Sequence, residues 1–295
     1  MAAQEIAGTP VVAIGENRRF TWRRTLSQHP SMVFGLVILG ILITVAIIGP
    51  IIIQTDPLNT NPTSSRQAPS AEFIFGTDES GRDIFSRVIY AIGLNLMLAA
   101  IIAFNATIIG VSLAIVAGYL GGGIDQFVMR IVDVLMAFPG FLLAVGLTVL
   151  LGNNVRTVIL ALSVAYAPVA IRVVRAQVLA LRNSQFIQAS QAIGTPAWEI
   201  MLYHILPHTT SILLAQTTLF LAWSVLDIAG LSFIGLGIQP PTPELGAMAA
   251  QGAEQMVSGR WWMSVFPGAT ILLMALSFTL IGDGLRDILD PRQSR

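Results

Sequence analysis

The chain has 295 residues, of which 54% are hydrophobic and 11% charged, and its mean hydropathy is +0.74. About a quarter of the residues in soluble domains are charged, so this composition predicts a polytopic membrane protein. The formal net charge is zero, which gives no indication of a nucleic-acid partner. There is no cysteine, which excludes disulfides, thiolate metal sites and a cysteine nucleophile.

Every basic residue of the chain is an arginine, and there is no lysine. A P-loop ATPase needs a lysine on the nucleotide phosphates. The chain therefore cannot supply a nucleotide-hydrolysing site of that type. If it takes part in active transport, the motor is another polypeptide.

The amino-terminal part predicts a cytoplasmic tail, one span and an external segment. Residues 1–31 are polar and contain four arginines, which places them in the cytoplasm. The apolar run 32–53 is long enough to cross the ~30 Å bilayer core, and no small-residue cleavage site follows it, so an uncleaved span is preferred to a secretory signal. Residues 54–86 are rich in proline and acidic residues and are predicted to be external, with Asp78 or Thr77 capping the next helix.

Five further spans are predicted, at residues 88–118, 127–151, 157–181, 210–236 and 265–281. The glycine-rich segment 118–130 is predicted to be a cytoplasmic turn, because a phosphate-binding loop needs a preceding strand and a following lysine. Pro139 predicts a kink, and the pair Trp261 and Trp262 suits an aromatic belt at the outer surface. The result is an all-α, six-span membrane bundle, with a first span and external segment at 32–87, a core at 88–285 and a cytoplasmic tail at 286–295.

The arginines support this topology independently. Eleven lie on predicted cytoplasmic segments and five on external ones, as the positive-inside rule requires. Three of the cytoplasmic ones end the fourth span, where we expect their guanidinium groups to snorkel to the interface: Arg172, Arg175 and Arg182.

A polar segment, residues 183–208, lies between the fourth and fifth spans. It predicts a short helix that ends at Gly194, because glycine leaves a helix through the left-handed region without strain. A second short helix is predicted to follow, capped by Thr195 and ended by a bend at Pro207. Two short helices held between two spans form a compact cytoplasmic projection that could dock into a groove of another protein.

The residues give little support to catalysis. His29, His204 and His208 lack partners for zinc, and the order of Gly282, Asp283 and Gly284 differs from that of intramembrane aspartyl proteases. We therefore predict no catalytic, cofactor-binding or metal-binding residues. A channel is the other alternative, but it would leave the docking segment unexplained.

Four motifs resemble those of one family. Residues 183–208 are similar to the EAA loop of membrane subunits of binding-protein-dependent ABC importers, with Ala189, Gly194, Ile205, Leu206 and Pro207 in matching places. FGTDESGRDIFSR (75–87), the run from Gly118 to Pro139, and AGLSFIGLGIQPPTPELGAM (229–248) resemble the dipeptide, oligopeptide and nickel permease subfamily. Gln188 stands where the family usually has Glu, and Ser190 where it has a second Ala.

The resemblance implies a C-type permease subunit with the type I importer fold, in a bacterial or archaeal cytoplasmic (inner) membrane with both termini inside. It implies a homologous B-type permease subunit, two ATP-binding subunits and an external solute-binding protein as partners. The implied ATPase-coupling loop contains Gln188, Ala189, Ser190, Gly194, Leu206 and Pro207. The expected cargo is a dipeptide or oligopeptide, with a nickel chelate, glutathione or another small solute as the alternative.

Asp227 is an acid well inside the fifth predicted span. A charge there costs about 2.5 kcal/mol or more and usually faces a cavity or a partner. One hypothesis is that Asp227 lines the translocation path and meets a cationic group such as a peptide amino terminus. The other is that it packs between helices, protonated or bonded to a neighbouring hydroxyl. The sequence leaves both open.

Overall fold

The structure, a computed structural model, describes residues 29–53 and 55–289. Within those residues the chain is helical and has no β-strand, only an isolated bridge between Thr77 and Asp83. The helices are α1 (Pro30–Ile52), α2 (Ile84–Leu120), α3 (Gly122–Met136), α4 (Gly140–Leu151), α5 (Val155–Arg182), α6 (Gln185–Ala192), α7 (Ala197–Phe233), α8 (Leu245–Met256) and α9 (Trp262–Leu289), with a short 3-10 turn at Pro62–Ser64. The predicted all-α bundle is confirmed. The predicted amino-terminal tail lies almost entirely outside the described residues, as does the carboxy-terminal tail beyond Leu289.

Five helices in the described residues are long and apolar enough to cross a membrane: α1, α2, α5, α7 and α9. The predicted span at residues 127–151 corresponds to α3 and α4, which meet at an angle of 90°. The 12 residues of α4 measure only about 18 Å at the helical rise of 1.5 Å per residue, so α4 cannot cross a ~30 Å core alone. Pro139 lies at the break, because its ring cannot continue a helix.

The glycine-rich turn is shorter than the sequence predicted. Only Gly121 separates α2 from α3, and α3 begins at Gly122 rather than near residue 127. Gly121 has φ +69°, and a Cβ there would lie 2.8 Å from Nη1 of Arg182. One glycine in the left-handed region therefore reverses the chain where a longer turn was expected.

The helices α2 and α5 form the centre of the bundle and pack through small residues. A Cβ on Gly110 would lie 2.2 Å from the Cβ of Ala170, and one on Gly118 would lie 2.9 Å from Cγ1 of Val178. Such close approach lets two helices gain dispersion contacts where lipid offers no hydrophobic driving force. Larger buried side chains, such as Leu98 and Leu162, fill the space beside this contact.

The outer end of α2 is held by a buried ionic cluster. The Asp78 carboxylate accepts hydrogen bonds from the backbone N–H of Arg82 at 2.9 Å and from its Nε at 2.6 Å. Arg87 is 2% exposed, and its Nε lies 3.7 Å from the same carboxylate. Its Nη1 donates to the carbonyl oxygens of Pro57 at 2.9 Å and Pro241 at 3.3 Å. The cluster thus joins the external segment, α2 and the loop before α8.

The predicted cap of α2 is wrong. Asp83, not Asp78 or Thr77, accepts hydrogen bonds from the first free backbone N–H groups, those of Phe85 and Ser86. Asp78 is unable to cap because its carboxylate is occupied by Arg82 and by the N–H of Ser80.

The end of the bundle that carries this cluster contains a helix, α8, that was not predicted. Glu244 caps it by accepting hydrogen bonds from the N–H groups of Gly246 and Ala247, and Asn95 of α2 donates to the same carboxylate at 2.8 Å. Trp262 also departs from its predicted place in an aromatic belt: it is 8% exposed, and its Nε1 donates to the carbonyl oxygen of Thr77 at 3.4 Å. The indole is drawn inward because the folded external segment offers it an acceptor.

Replacing Asp78 with alanine leaves Arg82 and Arg87 buried without their carboxylate. Breaking a buried ion pair in this way costs about 3–5 kcal/mol, so we expect a clear fall in the apparent Tm of the protein purified in detergent. The matched control is Glu79→Ala, because Glu79 is 41% exposed and 3.6 Å from Arg66, and exposed pairs contribute about 1 kcal/mol or less. Equal falls in Tm for the two variants would contradict the role assigned to the cluster.

Candidate functional site

The segment that follows α5 folds into a projection at one end of the bundle, which we call the docking loop (residues 183–206) and which includes the first residues of α7. Its first helix, α6, ends at Ala192, and the chain leaves it through Gly194 at φ +82°. The N–H groups of Gly194 and Thr195 donate to the carbonyl oxygens of Gln191 at 3.0 Å and Ser190 at 3.1 Å. These bonds satisfy carbonyl groups that a helix end leaves free.

The second helix of the loop is not the separate short element that the sequence predicted. It begins at Ala197 after the cap residue Pro196, and Thr195 makes no capping bond. It then continues as α7 to Phe233 through a wider π-helical turn at Ile200–Ile205. Pro207 follows that turn directly and does not end the helix. A proline ring clashes with the carbonyl of the preceding turn, and a widened turn relieves the clash.

The docking loop is anchored to the inner ends of α2 and α5 by apolar side chains. Ile187 of α6 and Ile200 and Ile205 of α7 are fully buried in one cluster with Val174 and Val178 of α5. A polar contact reinforces the cluster, since the Nε2 of Gln191 donates to the hydroxyl of Tyr119 at 3.2 Å. The loop is therefore packed as one unit with the ends of two spans.

The predicted loop residues lie mostly on its surface. Gln188, Ala189, Gly194 and Pro207 are exposed, whereas Ser190 and Leu206 are half-buried. The structure also exposes large apolar residues that the sequence analysis did not single out: Ile193 at 83%, Trp198 at 55%, Leu202 at 51% and Tyr203 at 67%. In the sequence, the signal that could have indicated this exposed patch was Trp198, an indole in a segment that is too polar for lipid. Exposed apolar patches of this kind mark protein interaction sites.

Two of the three arginines at the end of α5 are paired with carboxylates of α3. The guanidinium of Arg175 makes two hydrogen bonds of 2.5 Å to the carboxylate of Asp125, and Arg172 donates to Asp133 at 2.7 Å. Because α3 lies beside α5, a carboxylate of α3 is within reach of each guanidinium. Arg–carboxylate pairs of this geometry fix α3 against α5.

Asp227 lies on α7, 20 residues beyond Pro207, which is about 30 Å along a helix. It is therefore not part of the docking loop. Its Oδ2 accepts a hydrogen bond from the hydroxyl of Tyr166 at 2.7 Å, so the neighbouring hydroxyl considered in the sequence analysis exists. The side chain is nevertheless half-buried rather than enclosed.

Within residues 29–53 and 55–289, no group of three or more His, Cys, Asp or Glu side chains is placed to hold a metal ion.

Residues 110–295 match the family described as "Binding-protein-dependent transport system inner membrane component", which is more than half of the chain. The chain belongs to this family. Residues 19–69 match a second family, the N-terminal TM domain of oligopeptide transport permease C. The chain is thus a permease subunit of a binding-protein-dependent ABC importer, with the type I permease fold, in an inner membrane.

The relatives of this permease subunit are of similar length. It is 38% identical over 274 residues to the dipeptide transport system permease protein DppC of Alkalihalophilus pseudofirmus, which covers 92% of this chain and 90% of the relative. It is 41% identical over 272 residues to the glutathione transport system permease protein GsiD of Escherichia coli O6:K15:H31, covering 92% and 89%. The probable D,D-dipeptide transport system permease protein DdpC of Escherichia coli K12 is 36% identical over 267 residues, covering 90% and 89%. The family resemblance drawn from the motifs is confirmed.

The anchoring of the docking loop can be tested by hydrogen exchange. Ile187→Ala removes a fully buried side chain, a change that costs about 2–5 kcal/mol in a packed core. We expect the amides of α6 to exchange at least about tenfold faster, because the local opening free energy falls by that amount. Ile193→Ala is the matched control, since Ile193 is 83% exposed and its truncation should leave exchange unchanged. Unaltered exchange in the Ile187 variant would show that the loop is held by other contacts.

Proposed function

We propose that this permease subunit forms half of the translocation pathway for small peptides and couples that pathway to separate ATPase subunits through the docking loop. The peptide class is supported by the relatives, since those named above are permeases for dipeptides, D,D-dipeptides and glutathione. All three cargoes consist of amino acids joined by amide bonds. The alternative cargo is glutathione or another small solute. A nickel chelate is a further alternative, and it is chemically distinct from a peptide.

The observation that carries the coupling role is the construction of the docking loop. The side of the loop that faces away from the bundle presents exposed apolar side chains, including Trp198 and Tyr203. Its opposite side is packed on α2 and α5. A partner that moves this surface would move the spans with it. Gln188 is exposed and its amide donates to the carbonyl oxygen of Asn183 at 3.3 Å. The neutral amide replaces the family's usual carboxylate there, so we infer docking by shape and apolar contact rather than by a salt bridge from this position.

The partners follow from the same proposal. The second half of the pathway is a homologous B-type permease subunit, and two ATP-binding subunits supply the motor, because the chain has no lysine for a P-loop. An external solute-binding protein delivers the cargo. We assign to this chain no catalytic step of its own.

We propose that both termini lie in the cytoplasm, on the evidence of the arginine distribution. We place the domain boundaries at residues 32–87 for the first span and external segment and 88–285 for the core, although α9 itself continues to Leu289. The chain has no native cysteine, so an impermeant maleimide applied to whole cells should label Asn61→Cys and leave Ser184→Cys unlabelled. The reverse pattern would refute the orientation.

The proposed function is tested with the complete importer reconstituted in proteoliposomes together with its solute-binding protein. ATP-dependent accumulation of a labelled dipeptide is expected, with glutathione and a nickel chelate as competitors. If glutathione inhibits the dipeptide uptake and the nickel chelate does not, the result would support the glutathione alternative. Accumulation of the nickel chelate without any peptide uptake would refute the peptide class.

The coupling role predicts opposite outcomes for two variants at Gly194. Its φ of +82° is strained for a β-branched side chain, whereas asparagine tolerates the left-handed region. A Cβ at this position would meet no atom within 4 Å, so the difference between the variants is one of backbone conformation. We expect Gly194→Val to assemble normally but lose at least about tenfold in peptide uptake, a loss worth about 1.4 kcal/mol, and Gly194→Asn to retain it. Wild-type uptake in the valine variant would exclude the loop as the coupling element.

A further inference from the structure

One face of α7 combines a carboxylate and an exposed indole inside the predicted fifth span, near the Phe233 end of the helix. Asp227 follows Trp223 by four residues, so both side chains lie on the same side of the helix. Trp223 is 40% exposed and Asp227 is half-buried. Neighbouring Leu226 is 49% exposed. This face is therefore open on the surface of the isolated subunit.

Lipid is a poor environment for this face. A carboxylate in the bilayer core costs about 2.5 kcal/mol or more and is usually found against protein or water. In the described part of the chain, the Tyr166 hydroxyl is the one side-chain donor to Asp227, at 2.7 Å to Oδ2. One bond leaves most of the acceptor capacity of a carboxylate unused. The remaining capacity points to a donor that is not part of this chain.

The Tyr166 hydroxyl that donates to the carboxylate belongs to an aromatic cluster. The ring of Tyr166 stacks on Phe220 with centroids 5.4 Å apart, and it meets Trp223 edge-on at 6.0 Å. Phe220 is fully buried and lies 5.9 Å from Trp223. These contacts pack Trp223 against the tyrosine that donates to Asp227, so the carboxylate and the indole are linked through the ring of Tyr166.

We propose that Asp227 and Trp223 form a binding subsite for the primary ammonium group of a peptide passing through the importer. An ammonium group carries three donors and a positive charge, which suits a carboxylate with free acceptor positions. It is also attracted to the face of an indole. Tyr166 is a positioning residue, since it orients the carboxylate and leaves the approach to it open. This inference rests on the proposed peptide transport function.

A subsite in a path must release its ligand as well as bind it, which requires contacts of moderate strength. One carboxylate and one aromatic face meet that requirement, since no buried cage closes around the ligand. The subsite would favour cargo with a free amino group over cargo of similar size without one. It would act after the solute-binding protein has made its own selection.

The test measures dipeptide uptake per ATP hydrolysed by the complete importer in proteoliposomes, with saturating substrate-loaded binding protein so that delivery is not limiting. We expect Asp227→Asn to lower this ratio about tenfold with normal subunit assembly, and Asp227→Glu to restore most of it. We expect Trp223→Leu to lower it severalfold and Tyr166→Phe to have a smaller effect. The matched control is Asp283→Asn, which makes the same chemical change at an exposed position of α9 and should leave uptake unchanged.

Three outcomes would overturn the inference. Unchanged uptake per ATP in a normally assembled Asp227→Asn importer would leave the carboxylate with a structural role only. Loss of the second permease subunit from the purified Asp227→Asn complex would show that Asp227 pairs with that subunit instead of with cargo. A wild-type importer that takes up no peptide would refute the proposed function together with this inference. Failure of the inference alone would be seen in the Asp227→Asn importer, so the two failures are distinguishable.

Discussion

The close contact between α2 and α5 is the interaction on which the rest of the structure depends. Gly110 and Gly118 allow the two backbones to approach so closely that a methyl group would not fit. Both helices are longer than a bilayer core requires: the 37 residues of α2 extend about 55 Å. Both helices therefore have residues beyond those needed to cross the core, and these residues carry the neighbouring segments. The external segment is attached to the outer end of α2, and the docking loop to the inner ends of both helices.

Four acids of the described residues are held by several donors or by an arginine. On the outer side, Asp78 and Glu244 accept several hydrogen bonds each from arginine, asparagine or helix N–H groups. On the inner side, Asp125 and Asp133 pair with arginines of α5. Buried charges without such partners are costly. Asp227 differs from these four acids, because among the described residues one hydroxyl donates to its side chain, and for that reason it is the position that we assign to cargo.

The long helix α7 links the two sites that concern function. It begins in the docking loop at Ala197, passes Pro207 through a widened turn and continues without a break beyond Asp227. A helix transmits displacement along its axis, because each residue is tied to the next turn by backbone hydrogen bonds. In the proposed mechanism, a movement of the docking loop is therefore transmitted along α7 to the face that carries Trp223 and Asp227. The π-helical turn at Ile200–Ile205 is the point at which this helix departs from regular geometry.

The sequence alone determined the class, the family and most of the spans, because lipid permits only helices whose backbone bonds are satisfied internally and because apolar runs and motifs are local patterns. Gly194 was predicted at the end of α6 for the same reason, since the left-handed conformation is a property of one residue. The tertiary structure decided which side chains meet. Asp83 rather than Asp78 caps α2, Trp262 turns inward, and Arg172 and Arg175 pair with α3, since each outcome depends on a partner distant in the chain. The aromatic cluster beside Asp227 was equally invisible, because Tyr166 and Asp227 are 61 residues apart and only the packing of α5 against α7 joins them.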